Sequence, residues 1–381
     1  FTNKFLNFIE KPINNNFKQV HFDFAKSIQT TVEKIGLNLA KWAYKKNRSK
    51  NLCISGGVAL NGLMNNKILN NSNYKNVYVY AASGDDGTSV GAAQYIVMQK
   101  NNFLKRKKVN QVFLGYEDEG IKNKNYIKKK LHLNLDFVKC KNVYKFIARE
   151  LSDNKVFAIY SGKSEFGPRA LGSRSIIANA LDKNIKKELN LKIKIREPFR
   201  PFAPIVLNED YKKYFKLNFS SEFMLFICGT IEKFRKFMPG VVHRDNTARV
   251  QTVDKNNKIF FKILSEFKKI TKIPVLINTS FNIGGEAMVN SVEDALNSFN
   301  QMDIDYLLLG EYLIQKKQKI DKKKINDFID HRNQLFNNKN PFPRIDILRL
   351  NANFYTKTSR VIMEKIKDNL RNKIKGKLFI K

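Results

Sequence analysis

The sequence predicts a mixed α/β fold, and three observations carry that reading. First, the apolar run LCIS leads into the glycine pair of GGVALNGLM, in the order strand, turn, helix. Second, VYVYAAS (77–83) runs into GDDG and then TSVGAAQYIVMQ, which repeats that order. Third, further apolar runs of strand length alternate downstream with polar loops and helical stretches. Parallel strands need crossover helices, and the loops at their carboxyl ends face a ligand.

Taken in order, residues 24–43 place Phe24, Ile28, Val32, Ile35, Leu39 and Trp42 at steps of three and four, the apolar stripe of a helix. The two strand–turn–helix units follow. KNNFLKRKKVN (100–110) is a basic connector, and a second block begins near Tyr144. Its strands are expected at VFAIY (156–160), FMLFIC (223–228), ARVQTV (248–253), PVLIN (274–278) and DYLLLG (305–310). SVEDALNSF (291–299) reads as a helix with Ser291 as N-cap and Asp294 where a capping box prefers Glu. After about Lys316 the pattern gives way to a basic tail, in which Ile362, Ile366, Leu370 and Ile374 recur on one further helix. The expected division is 1–105, a connector 106–143, a second domain 144–316 and the tail 317–381.

With 381 residues, 43% of them hydrophobic, the chain suits two or three folded domains and excludes a disordered class. No apolar run approaches the roughly 18 residues of a membrane span. The net charge of +36 invites a nucleic-acid reading, yet lysine is dispersed along the whole chain without a basic and aromatic surface element. Cys53, Cys140 and Cys228 form no CxxC pair, which fits a cytoplasmic protein without a disulfide framework or zinc site. The chain starts at Phe1 with no signal-peptide pattern, and a break inside a longer protein is expected.

Chemistry concentrates in four polar segments of the second block. SGKSEFGPRALGSRS (161–175) sets Arg169 and Arg174 among glycines that let backbone N–H groups approach an anion. KIKIREPFRPFAP (192–204) supplies Lys194, Arg196 and Arg200 on a segment stiffened by proline. VVHRDNTARVQT (241–252) brings His243 and Arg249, and LINTSFNIGGE (276–286) brings Asn278, Ser280 and Asn282. Each has a plainer reading: a solvated ion pair for one arginine, a structural hydrogen bond for His243, turn caps for the asparagines. In the first block Gly56–Gly57 reads equally as a tight turn, and Asp85 or Asp86 as a cap. The residues alone support an anion-binding α/β protein.

The ordered set NLCISGGVALN, GDDGTSVGAA, EFGPRALGSRSI, REPFRPFAPIV, TARVQTV and PVLINTSFN resembles the O-carbamoyltransferases of the nodulation and antibiotic-tailoring type, over roughly residues 20–315. The resemblance implies a partial sugar kinase/actin-like ATPase-fold domain, followed by an α+β domain like the threonylcarbamoyl-adenylate synthases. It implies that carbamoyl phosphate and ATP with Mg²⁺ form carbamoyl adenylate, whose carbamoyl group passes to a hydroxyl of a sugar-like acceptor. By motif match Arg169, Lys194, Arg196, Arg200, His243 and Arg249 are catalytic, while Arg174, Asn278, Ser280 and Asn282 hold the nucleotide or carbamoyl group. Gly56, Gly57 and Asn61 fall where the ATPase-like fold wraps its nucleotide, and Asp85 at a metal-ligand aspartate.

An actin-like domain has two similar halves, and the resemblance assigns residues 1–105 to the second. The first phosphate loop and the paired histidine ligands of an iron ion are then expected upstream, in a missing N-terminal half. His21, His132, His243 and His331 show no such pair. On that reading the chain makes the adenylate and does not transfer it. Two other readings remain at this stage, a threonylcarbamoyl-adenylate activity in tRNA modification and an inactive nucleotide- or RNA-binding remnant.

Overall fold

In a computed structural model of the chain, residues 17–100 and 112–317 are described, and they belong to one compact unit. The tail helix expected near Ile362–Ile374 lies outside the described residues. No helix among the described residues is long and apolar enough to cross a membrane.

Helix α1 (Gln19–Lys46) leads to the first strand–turn–helix unit, β1 (Asn51–Ile54) and α2 (Gly62–Asn71). The second unit is β2 (Asn76–Val79) and α3 (Thr88–Lys100). β1 and β2 pair in parallel, Asn51 opposite Asn76 and Ile54 opposite Val79, which places both glycine turns at the carboxyl end of this small sheet. α1 lies on α2 through Val32, Ala40 and Tyr44, which pack with Met64, Ile68 and Tyr74. The helices approach closely at Gly36, where a Cβ would meet the Met64 sulfur at 2.6 Å.

The packed face of α1 therefore differs from the expected stripe. Ile28, Ile35, Leu39 and Trp42 are exposed, Trp42 at 61%. Small residues at Gly36 and Ala40 bring the backbones together, so α2 meets that side of α1 instead. α3 is equally uncovered, with Tyr95, Ile96, Val97 and Met98 all exposed. Exposed apolar faces of this extent mark contact surfaces. Trp42→Gln is expected to change stability by less than about 0.5 kcal/mol in a thermal melt, as for other exposed positions. Trp42 is the only tryptophan, so the native protein should fluoresce as a water-exposed indole.

The larger layer is an eight-stranded mixed sheet. Its strands are β3 (Leu135–Phe137), β4 (Phe157–Tyr160), β5 (Arg174–Asn179), β6 (Ala203–Leu207), β9 (Gln251–Val253), β10 (Val275–Ser280), β11 (Tyr306–Leu309) and β12 (Tyr312–Lys316), in the order β3-β12-β11-β4-β5-β10-β6-β9. β7 (Ile227–Gly229) and β8 (Thr247–Arg249) form a separate antiparallel pair. In the chain, α4 (Lys124–Lys130) comes after the first layer. The helices α5 (Val143–Ser152) and α6 (Lys258–Thr271) cover the large sheet, sharing one core of Ile147, Leu151, Phe157, Ile159, Phe260 and Phe267. α7 (Val292–Gln301) packs on β4 and β11, and Ser291 caps it, with the Asp294 side chain completing the capping box.

Two strand expectations shorten. Of FMLFIC only the end is strand, because Leu225 and Phe226 pack with Ala59 and Val79 of the first layer. The buried Asn65 side chain fixes this junction by donating to the Leu225 carbonyl at 2.8 Å. ARVQTV is divided between β8 and β9 at the buried Val250.

Candidate functional site

β4 and β5 are antiparallel neighbours, with Tyr160 opposite Arg174, and the glycine-rich loop joins them. Glu165 organises that loop. Its Oε1 accepts the backbone N–H groups of Leu171 at 2.8 Å, Ser173 at 2.7 Å and Arg174 at 3.3 Å. Glycine is required at Gly167, where φ is +133° and a Cβ would lie 2.9 Å from the Ala81 carbonyl oxygen. The loop thus rests directly on the segment that enters the GDDG turn of the first layer.

Arg174 is buried behind the loop. Its guanidinium donates to the carbonyls of Ser161 and Gly162, both at 3.0 Å, and of Ser173 at 3.1 Å. It also stacks 3.7 Å from the Tyr160 ring centroid. With those donors engaged, Arg174 builds the loop from behind. Burial lowers the pKa of Arg169 as it does that of Arg174, and the Nε of each is buried without an acceptor.

Two more arginines stand in the same electrostatic neighbourhood. Burial, with Arg169 and Arg196 adding repulsion, brings the Arg249 guanidinium down to about 10. Burial and then Arg200 bring Arg196 down to about 10, with Glu197 opposing. The Arg249 Nε is buried and unpartnered as well. Arg200 lies further out, exposed and 3.6 Å from Glu197. Arg169, Arg196 and Arg249 are therefore three part-buried cations, and Arg249 feels the repulsion of the other two. Desolvation of this kind disfavours each charge, and a bound anion offsets it.

Lys194 is enclosed beside them. Its Nζ donates to the Ser280 carbonyl, to Ser280 Oγ at 3.2 Å, and to the Asn282 carbonyl at 3.1 Å and Oδ1 at 2.8 Å. Burial first, and Arg196 second, push its pKa well below the ordinary lysine value. Ser280 and Asn282 thus cradle the lysine. Asn278 reaches the arginine loop, donating to the Ala170 carbonyl at 3.0 Å and to Gln251 at 2.8 Å, while its Oδ1 is buried and unpartnered. His243 is held by Thr247 Oγ1 at 3.1 Å, and burial, with Arg249 and Lys186 adding, lowers it to about 4. It is neutral at pH 7.

In the first layer, Gly56 has φ +100° and its N–H donates to the Ser83 carbonyl at 2.7 Å. No atom lies within 4 Å of a Cβ built on Gly56 or Gly57, so the turn is open above both. Asn61 caps α2 through Met64 N and pairs with Gln29. Asp85 and Asp86 are exposed in the facing turn. Among the described residues no group of three or more His, Cys, Asp or Glu converges, so these residues do not by themselves fit the iron site that the resemblance implies.

Sequence reading singled out the charged residues and missed the neutral ones that hold them. Glu165 and Gln251 were within quoted motifs, but only the tertiary fold reveals that the first gathers three backbone N–H groups. Gln251 likewise ties Asn278 to the loop through the Leu171 carbonyl at 2.8 Å.

Two family models match the chain. Carbamoyltransferase N-terminus matches residues 1–94 and Carbamoyltransferase C-terminus residues 148–316, together well over half of the chain. Nodulation protein NolNO of Sinorhizobium fredii is 34% identical over 79% of this chain and 45% of its own length. Nodulation protein NolO of Bradyrhizobium diazoefficiens is 34% identical over 79% of this chain and 56% of its own. The chain thus spans about half the length of these curated relatives. Among solved structures, HypF of T. kodakarensis has a TM-score of 0.30 at 18% identity, covering 49% of this chain and 23% of that one. On the strength of the two family models and the nodulation relatives, the chain belongs to the carbamoyltransferase family.

Proposed function

We propose that the arginine cluster activates a carbamoyl group with ATP. Carbamoyl phosphate, water and ATP become carbamoyl adenylate, phosphate and pyrophosphate. The observation that carries this reading is the grouping of three part-buried guanidiniums, Arg249 repelled by both Arg169 and Arg196, with the Nε of Arg169 and of Arg249 unpartnered. A phosphate-bearing ligand relieves that repulsion, and planar guanidiniums match its oxygens in pairs. Two polyanionic substrates repel each other in water; fixed cations hold them in line and oppose the charge that grows at the leaving pyrophosphate. Arg200 serves at the rim, Lys194 supplies a further donor, and Arg174, Asn278, Ser280 and Asn282 keep these groups in place.

The first layer takes the second role. Its open glycine turn at Gly56–Gly57 suits a nucleotide or the activated intermediate. The arginine loop touching Ala81 puts the two regions side by side. Further polypeptide of an actin-like domain then covers the apolar faces of α1 and α3, a reading supported by a parallel strand pair whose Cys53 and Tyr78 are exposed. A sugar-like hydroxyl is the acceptor that the resemblance to nodulation-type O-carbamoyltransferases implies.

The experiment is pyrophosphate release by this chain with ATP and Mg²⁺, with and without carbamoyl phosphate. Release that depends on carbamoyl phosphate is the expected result. Release stimulated instead by threonine and bicarbonate would replace the proposal, and no release even with the upstream half of a relative supplied in trans would end it.

A further inference from the structure

A buried neutral residue shapes the pocket without having any charge of its own. Residues Ile185–Glu188 make one α-helical turn that widens into a π-helical turn over Leu189–Ile193. Such turns concentrate at functional sites, where they reposition a side chain. Here the repositioned residue is Asn190, fully buried between the apolar Leu189 and Ile193. Its Oδ1 accepts from the Arg196 Nε at 2.7 Å. Its Nδ2 donates to the carbonyls of Arg200 at 2.9 Å and Pro198 at 3.2 Å. The Asn190 main chain joins in, its carbonyl accepting the Arg196 N–H at 3.0 Å. One amide therefore holds both the guanidinium and the proline-stiffened loop that carries it.

The chemistry of that amide matters. Arg196 also lies over the Phe202 ring, 4.8 Å from its centroid. With Nε engaged and one face against the ring, its two terminal nitrogens remain for a ligand. A carboxylate at position 190 would orient Arg196 equally well, but it would neutralise the charge that the ligand needs and offer no N–H to the two carbonyls. A neutral amide orients the arginine and leaves its full positive charge available.

We propose that Asn190 is a positioning residue of the anion site, fixing the Arg196 guanidinium for a phosphate-bearing ligand through a neutral hydrogen bond. This rests on the anion-pocket reading above. Inorganic pyrophosphate is the probe, titrated calorimetrically into the wild type, Asn190→Leu, Asn190→Asp, Arg196→Ala and the two double variants, with a thermal melt of each. Both single Asn190 variants are expected to bind about tenfold more weakly or worse, the equivalent of about 1.4 kcal/mol. In the Arg196→Ala background the same changes should cost less than about twofold, because the residue acts through that arginine. A purely structural asparagine would give equal losses in both backgrounds, and that outcome overturns the proposal, as does unchanged binding by Asn190→Asp. If Asn190→Leu fails to fold, the near-isosteric Asn190→Asp and its double variant decide alone. Failure of the wild type to bind pyrophosphate would instead remove the pocket reading, and is distinguishable because it involves no variant.

Discussion

Arg249→Met is expected to lower carbamoyl-phosphate-dependent pyrophosphate release by about 10²–10³-fold, the loss typical of removing one charge-stabilising donor, while raising thermal stability. The two effects have one cause. Arg249 is half-buried, and desolvation, with Arg169 and Arg196 nearby adding repulsion, brings its pKa down to about 10. The native state therefore carries that charge at a cost on the order of 1–3 kcal/mol at neutral pH. The sign follows from proton binding. Between about 10 and the ordinary arginine value the unfolded chain holds more protons than the native one, so stability rises with pH across that window. Methionine keeps the apolar volume and removes both the repulsion and the donor. Activity measured beside a thermal melt checks the pair; a variant that is inactive and also destabilised would make Arg249 a structural residue. Arg169→Lys is a finer probe, because it retains charge and loses the bidentate fork. Activity should fall with the fold intact, and survival of activity would put Arg169 at the periphery.

The same contrast between cations and their supports explains what the sequence made legible. The glycine turns after β1 and β2, the Ser291 cap of α7, and β4, β10 and β11 were readable because each rests on local signals: period, cap or an uninterrupted apolar run. β6 was not, since Pro204 lies within it and proline ordinarily argues against an inner strand. β5 was hidden by its opening residues, Arg174 and Ser175, which read as the end of the loop. For α1 periodicity was a misleading guide, as apolar spacing marks a face without saying what covers it. Long-range convergence was legible only as chemistry. Four separated segments carried the right charges, and Arg169, Lys194, Arg196 and Arg249 do meet. Asn190 and Glu165 were invisible, because a polar residue in a helical turn or a loop gives no local sign that it will satisfy groups several residues away.

Lys194 and Gly284 should give the second large effect, with opposite signatures in stability. Lys194→Met removes the donor to Ser280 and Asn282, and a loss of at least about 10²-fold in pyrophosphate release is expected. Its stability change is small at neutral pH, because freeing the buried cation offsets leaving those oxygens unpaired. The pH dependence separates the terms. Since burial holds the Lys194 pKa well below 10.5, the wild type gains stability as pH rises through the window up to 10.5, and the gain is complete only above it. The variant should show a flatter profile over that window. Gly284→Ala leaves the lysine in place but moves its backbone: a Cβ there would overlap the Lys194 carbonyl oxygen. That oxygen is main chain and cannot swing aside, so the segment Lys194–Arg196 must shift. Overpacking of this kind costs about 1–3 kcal/mol, and activity should fall by tenfold or more because Arg196 moves with it. Denaturation of both variants across pH 7–10.5 therefore discriminates the charge of Lys194 from its position. A flattened profile in Lys194→Met with a uniformly lowered one in Gly284→Ala is the expected pattern, and a uniformly lowered profile in both would mean that the lysine acts only as packing.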